Sequence, residues 1–143
     1  MATAIQKTVR RGLVNLLRTN AALTAVVPAS RIHPKTEPAW PFIKLASPTT
    51  QRLRAACVNG GLVTWDIHAF ARDRKSGNAT VEYAEDHAGR IGGLIEAALS
   101  DRRVPLEDGS ICHIELSDMR LLEDGEPEAF HYFAQINCRV LAA

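Results

Sequence analysis

The sequence predicts an α+β fold: a two-layer sandwich in which a mainly antiparallel sheet of about four strands carries two helices on one face. The predicted order is helix, strand, strand, helix, strand, strand, and three observations lead to it. Along Gly60–Arg72, Val63, Trp65, Ile67, Ala69 and Ala71 alternate with Thr64, Asp66 and His68, the period-2 pattern of a half-buried strand. Apolar residues recur every three or four positions near the N-terminus and again over residues 81–99. Alternation returns over residues 111–122 and 129–140, on either side of a turn. Strands apolar on one side need a cover, and two amphipathic helices supply it.

The first helix is expected to open on a capping box, Thr3 with Gln6, and to run to about Arg18 through Ile5, Val9, Leu13, Leu16 and Leu17. Lys7, Arg11 and Arg18 fall within about 40° of one another on its opposite face, a stripe that is most simply solvated. A short apolar continuation, Asn20 to Val27, is stopped by Pro28. Prolines 28, 34, 38, 41 and 48 then punctuate the chain, and Phe42–Ala46 reads as a short strand at a sheet edge, where a missing N–H is tolerated. Thr49 to Gly61 holds Arg52, Arg54 and an Asn59-Gly60-Gly61 turn signal, and reads as a long connection into the central strand. Asp73 to Asn78 is polar and turn-like. The second helix follows through Val81, Ala84, Ala88, Ile91, Ile95, Ala98 and Leu99, with Glu82, Glu85 and Asp86 early and Arg102 and Arg103 just past its end, as the helix dipole favours. Gly89, Gly92 and Gly93 inside it each cost about 1 kcal/mol relative to Ala, which predicts a closely packed neighbour. Pro105–Gly109 is a turn, and Leu122–Pro127 joins the last two strands. In the final strand Phe130, Tyr132, Ala134, Ile136, Cys138 and Val140 face one way and His131, Phe133, Gln135, Asn137 and Arg139 the other.

At 143 residues and 46% apolar content, the chain reads as one domain over residues 1–143 with enough apolar mass for a core. A formal charge of +1 makes no overall case for a nucleic-acid or membrane binder. The charge is uneven, however. Lys7, Arg10, Arg11, Arg18, Arg31 and Lys35 precede Thr36 without a single acid. From Glu107 onward Glu107, Asp108, Glu115, Asp118, Glu123, Asp124, Glu126 and Glu128 face only Arg120 and Arg139. Ends of opposite sign suit a head-to-tail contact between copies; a monomer with uneven ends gives the same counts. Cys57, Cys112 and Cys138 form no CxxC and leave an odd thiol if two pair, which points to a reducing compartment. No apolar run approaches the roughly 18 residues of a membrane span, and no signal-peptide core is seen, so a cytosolic protein is expected.

Catalytic motifs are sparse. His68, His113 and His131 sit on the polar side of predicted strands, but zinc needs three or four ligands converging at about 2.0–2.3 Å and no HxxxH spacing brings them together. Cys112 and Cys138 read as buried thiols on adjacent strands, and Cys57 as a loop thiol with no His or Asp partner. Asp66 and His68 share a strand face without a nucleophile to complete a triad. Gly89, Gly92 and Gly93 lie inside a helix, not at a strand-to-helix turn, so they form no nucleotide fingerprint. No catalytic, cofactor-binding or metal residue is assigned. Arg52 and Arg54, with Arg72, Arg74 and Lys75, make two basic loops beside the central strand, suited to a phosphate backbone, an acidic partner, or solvent alone.

The order of these pieces resembles the tail terminator, or tail completion, proteins of long-tailed phages and related gene transfer agents. The resemblance rests on Leu17–Val27 at the end of the first helix, the Arg31–Pro34 step, Pro41–Leu45, the Val63–Ala71 strand followed by Arg72, and the helix ending Ile95–Leu99, and it covers roughly Leu13 to Val140. Gln51–Asn59 and Glu123–Glu128 match no family pattern, so these loops inherit no role. The resemblance implies a non-enzymatic subunit of a six-membered ring that caps the tail tube, halts tube growth and joins the tail to the head-side connector. It also implies assembly in the cytoplasm, then residence at the head-proximal end of the tail, with DNA passing through the ring. On that reading Phe133 is an apolar anchor for an interface, and Arg52, Arg54, Arg72, Arg74 and Lys75 are candidates to face a neighbour or the channel. Two other classes fit the residues alone: a small dimeric ligand-binding or regulatory domain using Asp66, His68 and His131 as a pocket, and a hydrolase.

Overall fold

The computed structural model describes residues 2–55, 58–126 and 128–141, with side chains for 5–52, 60–126 and 128–141. Helix α1 spans Ala2–Arg18 and is followed by a one-turn helix α2, Ala21–Thr24, and a 3-10 turn at Ala29–Arg31. Strands β1 (Phe42–Ala55) and β2 (Val58–Arg72) form a long hairpin, and a small one follows from β3 (Arg74–Ser76) and β4 (Ala79–Glu82). Helix α3 (Ala84–Leu99) leads into β5 (Arg102–Pro105), β6 (Ile111–Glu123) and β7 (Ala129–Leu141). The main sheet has the order β1-β2-β7-β6-β5, every neighbour antiparallel, and β3-β4 pair separately.

The alternation of β2 decides where the core lies. Val63, Trp65, Ile67, Ala69 and Ala71 are all buried, as are Tyr132, Ala134, Ile136, Cys138 and Val140 beside them on β7. Both helices lie on this face, α1 across β1 and β2 and α3 across β2, β7 and β6. Val9, Leu13 and Leu17 of α1 and Ala88, Ile91, Ile95 and Leu99 of α3 close the cluster. Cys112 and Cys138 are buried free thiols in it; the neighbouring Cys112 thiol and burial together push Cys138 up. Cys57 lies outside the described residues.

Helices against one face of an antiparallel sheet are as the pattern predicts, while a third, one-turn helix, a separate β3–β4 ribbon and several boundaries are not. The sheet has five strands rather than four, because Arg102–Pro105 is a short edge strand whose charged pair Arg102-Arg103 hides the alternation. Strand β1 does not stop at Ala46. A bulge between Ala46 and Thr49, with Ser47 at φ 50, absorbs Pro48, and the ladder resumes through Ala55. Residues read as a connection are therefore strand, and Arg52, Arg54 and Arg72 stand on strands, not loops. The polar run after Arg72 is the β3–β4 hairpin, which removes Val81, 56% exposed, and Glu82 from the helix. Helix α1 begins at Ala2, ahead of Thr3, and Gln6 Nε2 donates to Thr50 Oγ1 on β1 at 2.7 Å instead of closing a capping box. The cap of α3 comes from a distance: Asp73 Oδ1 accepts the Ala84 N–H at 2.7 Å.

Of the three glycines of α3, one carries the close contact that the sequence called for. A Cβ on Gly92 would enter the Tyr132 ring, so the bare backbone lets α3 rest directly on β7. Gly89 has only ordinary contact with Leu121, and Gly93 faces open space. The small hairpin is fastened to the same helix through Glu82, whose carboxylate accepts Arg90 Nη2 at 2.8 Å and Arg74 Nη1 at 3.1 Å. The hydrogen bond from Arg90, and behind it that from Arg74, hold this carboxyl at about 2 against the opposing effect of burial.

Two outcomes follow. Gly92→Ala is expected to destabilise by about 1–3 kcal/mol in chemical denaturation, because overpacking must displace α3 or Tyr132, whereas Gly93→Ala, exposed and unobstructed, should stabilise by up to about 1 kcal/mol. Because the folded-state value of Glu82 lies below its ordinary 4.5, its contribution is complete above that pH and is lost as pH falls toward 2. Glu82→Gln should cost about 1–3 kcal/mol at neutral pH, and the gap from the parent protein should close in denaturation curves taken toward pH 2.

Candidate assembly surface

Residues paired across an antiparallel ladder project to the same side, so the register sorts the helix-free face of the sheet into bands. The first band reads Phe42, Phe70, His131, Leu122, and the second Lys44, His68, Phe133, Arg120. A polar band follows, Ala46, Asp66, Gln135 and Ser117, then Thr64, Asn137 and Glu115. Beyond it lie Leu62, Arg139, His113 and Arg103, and at the far end the exposed apolar pair Leu141 and Ile111.

The first two bands fuse into one aromatic layer. Phe42 and Phe70 stack at 4.7 Å between centroids, Phe70 and His131 at 5.0 Å, and His68 lies 5.5 Å from His131 and 5.3 Å from Phe133. Trp40, just ahead of β1, stands edge-on to Phe42 and Phe70, and the Arg72 guanidinium covers its ring at 4.2 Å. Every one of these rings is half-buried in the single chain. Burial, then the neighbouring His131, push the His68 imidazole below its ordinary value, with Asp66 acting in the opposite sense. The Nδ1 atoms of His68 and His131 are buried and unpartnered. In the polar band the side chains satisfy one another: Asn137 Nδ2 donates to Ser117 Oγ at 2.7 Å and Thr64 Oγ1 to Asn137 Oδ1 at 3.3 Å.

Of the residues singled out from sequence, Phe133 falls in the aromatic layer. The basic ones split between two ends of the sheet. Arg52 is exposed opposite Gly61, while Arg72 lies eleven residues further along β2, roughly 36 Å away at strand rise. Arg54 pairs with Asn59 on the part of the β1–β2 ladder that runs past the last described β2–β7 rung, Gly60 with Leu141. At the other end each cation already has an acid: Arg72 with Glu126 at 2.7 Å, Arg74 with Glu82, and Lys75 with Glu128 at 3.4 Å. His68, His113 and His131 do share the bare face, but His113 is in register with Arg139, eight residues and roughly 27 Å along β7 from His131. His113 instead meets Asp101 at 2.7 Å, with Glu115 at 4.0 Å, an exposed group. No hydrogen bond joins Asp66 to His68 among the described residues. Trp40, Phe42 and Phe70 escaped the sequence reading. Phe70 did carry a signal, since it shares parity with His68, but the partnership of Phe42 and Trp40 depends on ladder register.

The sequence profile of a family described as Tail completion protein gp17 matches residues 11–141. Among solved structures, a chain of the virion of a native gene transfer agent particle superposes with a TM-score of 0.76 at 12% identity, over 97% of this chain and 98% of that one, a likeness of fold. No curated protein matches the chain. A match that takes in every strand, all of α3 and the second half of α1 identifies a structural protein of phage tails: the chain belongs to the tail completion protein gp17 family.

Proposed function

We propose that six copies of this chain close into a ring that seats on the end of the tail tube, stops the addition of tube subunits and joins the tail to the head-side connector. The observation that carries this reading is the bare sheet face. A member of a tail completion family leaves a layer of half-buried rings from Trp40 to Phe133 with no helix over it, and assembly would remove that surface from water at roughly 25 cal/mol per Å². In this reading Phe133 anchors the contact with the tube. The β1–β2 hairpin bearing Arg52 and Arg54 faces the channel through which DNA passes, and Arg72, Arg74 and Lys75, held by their carboxylates, shape the rim beside the aromatic layer. The ring forms in the cytoplasm and remains at the head-proximal end of the particle.

Tube protein polymerised with and without this protein tests the reading by electron microscopy of tube lengths. Tubes should stop growing, with a ring at one end, when the wild-type chain is present, and should grow on when Phe133→Asp replaces it, although the variant keeps its melting temperature. Tubes that lengthen equally with and without the wild-type chain, together with a dimer and no ring by light scattering, would overturn it.

A further inference from the structure

We infer that neighbouring copies in the ring meet head to tail, the basic depression at the α1–β1 edge of one copy receiving the acidic corner that the start of α3 and the end of β6 form on the next. This rests on the ring reading above and names its contact. The depression, about 680 Å³, is lined by Arg10, Arg11, Arg18, His33, Lys35 and Lys44. Arg11 is taken by Glu107 at 3.1 Å, and Arg18 donates to the Ile32 carbonyl at 2.8 Å. Arg10, Lys35 and Lys44 have no carboxylate partner among the described residues, unlike Arg72, Arg74, Lys75, Arg90 and Arg120, each of which has one. The N–H of Leu45 donates to His33 Nδ1 at 3.2 Å, which fixes the ring's proton on Nε2. Burial, then Arg10, Arg18 and Lys44, hold its pKa down, the mark of a positive field that an incoming anion would relieve. Glu37 lines an adjoining depression with Lys35 and Lys44 but forms no ion pair with them.

The complementary surface lies across the sheet. Glu85 and Asp86 occupy the first turn of α3, and Glu123 ends β6; none has a basic partner among the described residues. Leu121 ties these elements together: its Cδ1 lies 3.6 Å from where a side chain on Gly89 would begin, one helical turn from Glu85. Leu121 and Glu123, two residues apart, project to the same side of β6, and Leu121 is 43% exposed. Strand β5 pairs β6 only over Ile111–Ile114, so this corner is not covered from the edge. Unlike patches on opposite sides of one subunit make a heterologous contact, which closes into a ring when the rotation per step permits. Charge around an apolar anchor gives that contact its register.

The test pairs two double variants, Arg10→Glu with Lys44→Glu, and Glu85→Lys with Glu123→Lys, in which Arg10 is half-buried and the other three are exposed, each checked by melting temperature. Each variant alone should run at single-chain mass in light scattering where the wild type forms a ring. Mixed, the intact acidic corner of one variant meets the intact basic depression of the other, and the two reversed surfaces are again opposite in sign, so assemblies in which the variants alternate should reappear. Rings from either variant alone overturn the inference and leave the ring reading standing, as does a mixture of folded variants that stays at single-chain mass. A wild type that never closes, with or without tube, sinks the ring reading, while a mixture that associates where neither variant alone does would still uphold the contact.

Discussion

A five-stranded sheet has two faces, and this chain supplies helical cover for one. The rest of the architecture follows from that shortage. Helices α1 and α3 together span β1 to β6 on the side where Val63, Ile67, Ala134 and Ile136 point, and Gly92 lets the second of them settle against Tyr132 without a gap. On the other side the same alternation that builds the core leaves Phe70, His131 and Phe133 partly in water. A buried face and a half-dry one are two results of a single period-2 pattern. The half-dry face is where the chain has affinity left over for something else.

Charge is distributed by the same logic. Around the small hairpin and the β6–β7 turn, cations and acids neutralise one another inside the chain: Arg72 with Glu126, Lys75 with Glu128, and Arg74 and Arg90 on the shared carboxylate of Glu82. Exposed pairs of this kind add little stability, but they fix where loops sit. Glu82 differs because it is mostly covered and doubly engaged. Among the described residues, Arg10, Lys35 and Lys44, which have no carboxylate partner, share the α1–β1 edge, and Glu85, Asp86 and Glu123, which have no basic one, share the α3–β6 corner. A chain with a net charge of +1 thus carries a basic depression at one edge of the sheet and an acidic corner toward the other.

Much of this was legible in the residues. The faces of β2 and β7 could be read one residue at a time, because Trp65 and Ile67 or Tyr132 and Ala134 announce burial by their own chemistry. That α1 and α3 exist, and where each one ends, followed from spacing; the start of α3 did not, because Val81 and Glu82 continue the apolar period but belong to β4. What could not be read was register. That Phe42 stacks on Phe70, and Phe70 on His131, depends on which residues the ladders align, and nothing local to Phe42 records its partner. The short strand β5 was hidden because Arg102 and Arg103 have no apolar alternation to show, and the second half of β1 because Ser47-Pro48 breaks the phase at the bulge. The pairing of Arg74 with Glu82 was hidden for a different reason: a polar run looks the same whether it is a turn or a two-stranded ribbon.

The bulge in β1 has a counterpart. On β6 the register shifts between Ser117 and Arg120, with Asp118 at φ 56 and its carboxylate gripping Arg120 at 2.8 Å. The exposed rims of the sheet are therefore each interrupted near their middle, one by a proline that has no hydrogen to give and the other by a kink fastened with a charge pair. A straight rim would invite an identical molecule to lie alongside it, and another beside that, without limit. These two interruptions deny any such fibre its template, so a subunit made in many copies can reach high local concentration and still keep its backbone to itself.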